Sequence, residues 1–173
     1  MKALLILVPV LFVASFVNAK TIKYPEEDTV FTITLPDDWT TELNDAGSLH
    51  CEAGDGSTFT FLITSPSEAV RSESEMKAYL PKFARNFVLD ARVGEIKETT
   101  TAKKLKLFAI AVSMGETEKG GVETVLSLTA FAPKKGVYFI ILAANKADLN
   151  KTHARMMEEI INSITPTPEG KAE

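Results

Sequence analysis

The residues with the widest chemical reach fall in one short run, His50-Cys51-Glu52, with Asp55 close behind. Imidazole, thiolate and carboxylate are the side chains that hold transition metals. Ser48 to Ala53 reads as a short strand, in which successive side chains point to opposite faces. His50 and Glu52 then share a face and Cys51 points away, so the run cannot deliver all three to one ion. A metal site would need His50, Glu52 and a residue from elsewhere. The competing reading makes Cys51 a small core residue and His50 a surface or hairpin residue.

The other histidine, His153, falls on the apolar stripe of a C-terminal helix. It reads as a packed helix histidine, because a general base needs a nucleophile and an orienting group that the sequence does not offer. No G-x-S-x-G elbow occurs, and Gly115 to Gly121 lacks the Lys-Ser or Lys-Thr ending of a phosphate loop. Asp55, in Gly54-Asp55-Gly56, is not followed by carboxylates at calcium-loop spacing. Asp37 and Asp38 are adjacent and so diverge, which suits a turn better than a catalytic acid pair. The expectation is a protein without catalytic residues or cofactor. Two basic groups remain, Lys103-Lys104 with Lys106, and Lys134-Lys135. Each sits at or near a turn and would keep strand ends solvated; if the two turns share one end of a sheet, they form a patch for an acidic partner. Asn150-Lys151-Thr152 matches the glycosylation sequon, which matters only in a eukaryotic secretory pathway.

The elements that must position these residues begin after an export signal. Met1 and Lys2 are a basic start, Ala3 to Phe16 is apolar, and Val17-Asn18-Ala19 ends in small residues suited to signal peptidase. Residues 1–19 are expected to be a signal peptide, with the mature chain opening at Lys20. The apolar run is short for a membrane span of ~20 residues, and Pro9 interrupts it; a retained anchor is the alternative. Lysine rather than cysteine follows the cut, so no lipid anchor is expected, and the location reads as periplasmic or extracellular. Without Lys2 the 19 lysines and arginines fall to 18, against 23 aspartates and glutamates, a net charge of −5. That balance disfavours nucleic acid or an anionic membrane surface as a partner. The single cysteine allows no intrachain disulfide, so packing must supply the stability.

Residues 20–164 read as one domain, and 165–173, with two prolines, as a disordered tail. Val30 to Leu35 alternates as a half-buried strand, broken by Pro36-Asp37-Asp38 with Trp39 next. Ser48 to Ala53 and Thr58 to Thr64 form a hairpin around Gly54-Asp55-Gly56. Ser72-Glu73-Ser74-Glu75 has the capping-box form, and Met76, Tyr79, Leu80, Phe83 and Phe87 recur at helical spacing. Pro81 inside that stretch predicts a kink or break. Gly94 to Thr101 is a polar strand for an edge or a solvated face. Leu105 to Met114, Val122 to Phe131 and Gly136 to Ala144 are three long strands of an antiparallel meander. In the last of these, Val137, Phe139, Ile141 and Ala143 are apolar, and so are Tyr138, Ile140, Leu142 and Ala144, so both faces must be covered. Leu149, His153, Met156, Met157, Ile160 and Ile161 make the stripe of the final helix. Two helices on a sheet with middle strands apolar on both faces give the α+β class, an α/β/α sandwich around a mainly antiparallel sheet. Two helices on one face is the alternative.

Phe31-Thr32-Ile33-Thr34-Leu35-Pro36-Asp37-Asp38-Trp39, a strand ending in Leu-Pro with Trp shortly after, resembles the opening of the PsbP-like family, which includes the photosystem extrinsic subunit and bacterial DcrB-type exported relatives. The order of elements, down to a final helix closing with Ile160-Ile161-Asn162-Ser163-Ile164, is similar over nearly all of the chain from Lys20. The resemblance implies an α/β/α sandwich used for binding, since members act as accessory subunits, adaptors and exported factors without a shared catalytic site. It carries over no functional residue; Trp39 belongs to the fold motif and is expected to pack. The resulting expectation is a non-enzymatic protein that recognises another protein in the envelope or outside the cell. Its contact surfaces would be the loops at Asp37, Asp38 and Trp39, at Gly115 to Gly121, and around Lys134 and Lys135. The competing class carries a small ligand or metal ion, in a pocket beside the helix near Pro81 lined by Met76, Tyr79 and Phe83.

Overall fold

The structure is a computed structural model and describes residues 18–55, 59–87, 92–113, 125–145 and 151–168. Most of the expected signal peptide, the Gly115 to Gly121 loop and Asn150 lie outside them. The chain order is β1 (Ala19–Tyr24), β2 (Phe31–Pro36), β3 (Thr40–Leu43), β4 (Leu49–Glu52), β5 (Thr60–Thr64), α1 (Glu73–Phe87), β6 (Arg92–Val93), β7 (Lys97–Thr100), β8 (Lys106–Ser113), β9 (Val125–Lys134), β10 (Val137–Asn145), α2 (Lys151–Ser163) and β11 (Thr165–Pro166). The large sheet runs β3-β4-β5-β10-β9-β8-β6, with β7 also pairing β8, and its pairings are antiparallel. A smaller sheet runs β1-β2-β11.

β10 lies in the middle of the large sheet, and its alternation divides the interior in two. Phe139, Ile141 and Ala143 enter a core with Phe31, Ile33 and Leu35 of β2, Trp39, Phe59, Phe61, and Ile160, Ile161 and Ile164 at the end of α2. Tyr138, Ile140 and Leu142 enter the other, closed by Met76, Tyr79, Leu80, Phe83 and Ala84 of α1. The fold is α+β with three layers, as expected. The layer opposite α1 is mixed, since the small sheet and α2 share the work of covering that face.

Helix α1 starts at the expected capping box. The Glu75 amide donates to Ser72 Oγ at 3.3 Å, and Glu75 Oε2 accepts from the amides of Arg71 (2.7 Å) and Ser72 (3.1 Å). Of the kink or break expected at Pro81, the break does not occur: the helix continues to Phe87. An interior proline costs roughly 3 kcal/mol, but Met76, Tyr79 and Leu80 before it and Phe83 and Ala84 after it are buried in one core. Leaving the helix at Pro81 would expose the last two.

Three further differences share one cause, backbone pairing that no side-chain pattern announces, in two neighbouring hairpins and one long-range pairing. Lys20 to Tyr24, for which no element was expected, is strand because it pairs with β2 from Ala19↔Pro36 to Tyr24↔Phe31. Thr40–Leu43, with no apolar alternation, is strand because it pairs with β4. Thr165 and Pro166 are not disordered, since they pair with Thr32 and Phe31 of β2, and the Thr167 amide donates to the Val30 carbonyl at 2.9 Å. Lys103 secures that end by donating from Nζ to the Ser163 carbonyl (2.7 Å) and to Thr165 Oγ1 (2.6 Å). Gly54 marks a close approach: a Cβ there would sit 2.2 Å from the Asp38 carbonyl oxygen, so only glycine lets the β2–β3 turn rest on the β4–β5 connection.

Candidate functional site

The expected metal ligands separate as strand geometry requires. Cys51 is fully buried in the core with Trp39 and Phe61. Burial pushes its thiol up to about 12, against a small opposing pull from Lys20, so it is neither a ready nucleophile nor a ready ligand. His50 and Glu52 lie on the other face, Nδ1 to Oε1 3.9 Å, with His50 directly opposite Glu42 on β3. No group of three or more His, Cys, Asp or Glu side chains placed to hold a metal ion occurs among the described residues.

His153 is buried and lies flat on Phe59, ring centroids 5.0 Å apart and planes 6° from parallel. Its Nε2 is 3.6 Å from Asp55 Oδ2. The pair ties the first turn of α2 to the β4–β5 connection. Met76, Tyr79 and Phe83, the expected pocket lining, are packed side chains of the α1 core, and the Tyr79 hydroxyl is taken up by the Ser67 amide at 3.0 Å.

The expected contact residues divide between the two ends of the large sheet. Asp37 and Asp38 are exposed on the turn entering β3. Because Thr40 pairs with Glu52, Glu52 with Thr60 and Thr60 with Ala144, that turn belongs to the end where β10 finishes. Lys134 and Lys135 are exposed at the β9–β10 turn, the end where β10 starts. The two pairs therefore cannot meet one small epitope. Trp39 is only 2% exposed and packs edge-on against Phe59 and Phe61, so its ring anchors the core rather than a partner.

The Lys103–Lys106 turn does share an end with Lys134 and Lys135, because β8 starts beside the end of β9. Two of its lysines are already engaged, Lys103 with the end of α2 and Lys106 with Glu73 (2.5 Å) and Glu98 (3.3 Å). Lys134 lines an open groove with Glu27 and Asp28, so the local field there is of mixed sign.

A second groove, of about 470 Å³, is lined by Thr21, Ile22, Lys23, Tyr24 and Glu26 on one side and by Thr41, Leu43 and Leu49 on the other. It lies between β1 and β3, each an edge of its sheet. Side chains span both ends: Lys20 Nζ donates to the Trp39 carbonyl and the Tyr24 hydroxyl to the Gly47 carbonyl. Leu43, 56% exposed, is a large apolar side chain left in solvent beside it. In the sequence this site is marked by nothing beyond the spacing of Ile22 and Tyr24, a strand alternation two residues long.

No family model matches the chain, and no curated protein matches it in sequence. Solved structures match in fold. The chain is similar to the cyanobacterial PsbP protein CyanoP of Synechocystis sp. PCC 6803, with 9% identity, TM-score 0.58, and 89% of this chain and 95% of that one covered. It is similar to LpqN of Mycobacterium tuberculosis, described as involved in cell envelope biogenesis, with 14% identity, TM-score 0.57, and 87% and 92% covered. The Ran-binding protein Mog1p of Saccharomyces cerevisiae follows at 11% identity, TM-score 0.53, and 86% and 95% covered. The fold is PsbP-like, over nearly the whole length of these proteins. Among the described residues no helix is long and apolar enough to cross a membrane.

Proposed function

We propose that this is an exported, non-enzymatic binding or accessory protein that recognises another protein in the cell envelope or outside the cell. The observation that carries the reading is the closure of both faces of the large sheet. The side chains suited to line an internal ligand pocket, Met76, Tyr79 and Phe83, are core, and the open apolar surface is at the strand edges instead. The similar folds support it by analogy, one being named for Ran binding and one for envelope biogenesis. Export rests on the N-terminal sequence, Lys20 being the expected first residue of the mature chain. The contact surface includes Asp37 and Asp38 at one sheet end or Lys134 and Lys135 at the other, and Trp39 stiffens the first. A small-ligand carrier is the second reading, favoured by the groove of about 470 Å³, which falls among ligand-sized sites of roughly 300–1,000 Å³.

Native mass spectrometry of the mature protein, purified gently from its own source, tests this. A reproducibly bound protein is the expected result; a chain alone with the added mass of a small molecule or metal would replace the reading by the carrier.

A further inference from the structure

The groove between β1 and β3 is bounded by backbone as well as side chains. In an antiparallel ladder, residues opposite one another alternate between pairs that exchange hydrogen bonds and pairs whose N–H and C=O groups point outward. The Asn44 amide donates to the Ser48 carbonyl at 3.0 Å, and Asn44 and Ser48 continue the β3–β4 register. Counting back by twos, Glu42 and Thr40 face β4, so the backbone groups of Thr41 and Leu43 face the free edge. The Asp37 amide donates to the Asn18 carbonyl at 3.3 Å in the β1–β2 register. By the same count Lys20, Ile22 and Tyr24 face β2, and Thr21 and Lys23 turn their backbone groups outward. These four residues, Thr21, Lys23, Thr41 and Leu43, all line the groove. Two strand edges thus present their unpaired donors and acceptors to one space.

The two edges run in the same direction, since Lys20 reaches Trp39 at one end and Tyr24 reaches Gly47 at the other. One extended chain antiparallel to both would complete a ladder on each side. We propose that the groove takes an extended segment of a partner protein, added as a strand between β1 and β3. This rests on the reading of the protein as a partner-binding module. Main-chain hydrogen bonds hold such a segment, and side-chain pockets select it. The apolar surfaces of Ile22, Leu43 and Leu49 call for aliphatic side chains at alternate positions. Lys23 and Glu26, which also line the groove, call for an acidic group beside the first and a basic one beside the second. The antiparallel direction then places the basic residue toward the segment's N-terminus.

A phage-displayed library of random seven-residue peptides, selected on the full chain, tests this. The expected winners alternate aliphatic and polar residues. A synthetic winner should slow amide exchange at Thr21, Lys23, Thr41 and Leu43 at least tenfold, and Thr41→Pro should weaken it at least tenfold. Proline is tolerated where an edge N–H faces solvent, and the same peptide with alternate backbone nitrogens methylated supplies the test without altering the protein. Failure to enrich any peptide, or winners indifferent to both Thr41→Pro and N-methylation, would overturn the proposal. A native partner that binds Thr41→Pro unchanged would overturn it while leaving the accessory-protein reading standing. Strand addition by selected peptides, with no protein bound to the native material, would support the groove and remove that reading.

Discussion

The two cores on either side of β10 are built in opposite ways. The α1 core is a single amphipathic helix laid on the meander, with Met76, Tyr79, Leu80, Phe83 and Ala84 from one continuous stretch. The other draws on β1, β2, Trp39, the β4–β5 hairpin and α2, segments from Tyr24 to Ile164, and the Phe31 ring at its centre meets Phe131 edge-on at 5.1 Å and Phe139 at 5.0 Å. A helix closes its face through local spacing, whereas the mixed layer exists only once remote strands have paired. The second arrangement ends in two exposed strand edges, and the groove lies there. The layer built from several separate segments is thus the one that leaves an open groove.

Emptying each core in turn separates the two arrangements. Phe31→Ala removes a fully buried ring at the junction of both sheets and is expected to cost about 3–5 kcal/mol, read by urea denaturation, with faster amide exchange in β1, β2 and β11 together. Leu80→Ala is expected to cost about 2–4 kcal/mol and to loosen α1 while leaving β2 amides protected relative to the global transition. Equal acceleration of β2 by Leu80→Ala would mean that the cores open as one unit.

Cys51 probes how tightly the mixed core is sealed. Its thiol is held up to about 12 by burial, above the unfolded value of roughly 8.5, so the native state keeps a proton that the unfolded chain loses. Stability is full below that unfolded value and falls by about 1.4 kcal/mol per pH unit as pH rises from it toward 12. Iodoacetamide at pH 8 should leave the native thiol unmodified and alkylate it on unfolding. Modification of native protein would mean that the mixed core breathes more readily than its packing indicates. The smallest expected effect is the cap: Ser72→Ala should cost about 1 kcal/mol, with amide exchange rising in the first turn of α1 and little change across the groove.

Among the site residues, legibility followed the range of the interaction. The opposed directions of Cys51 and of His50 with Glu52 were readable, because strand alternation is a property of three consecutive residues. The partner of His153 was not, because Asp55 lies 98 positions earlier in the chain. The helix with a kink or break expected at Pro81 runs on unbroken because its burial on both sides outweighs a local penalty, and a local rule has no access to that sum. Lys103 and Lys106 looked like free surface charge, yet they are spent on the end of α2 and on Glu73 and Glu98.

The central position of Val137 to Ala144, the capped start of α1, the meander and the stripe of α2 were all legible in local spacing. Each follows from spacing within one segment, which sets which side chains share a face. The tertiary structure alone decided that Ala19–Tyr24 and Thr40–Leu43 are strands, that they are edges, and that their outward backbone groups meet across one groove. A strand's alternation specifies its faces and says nothing of its edges, because every residue carries the same backbone donor and acceptor whatever its side chain.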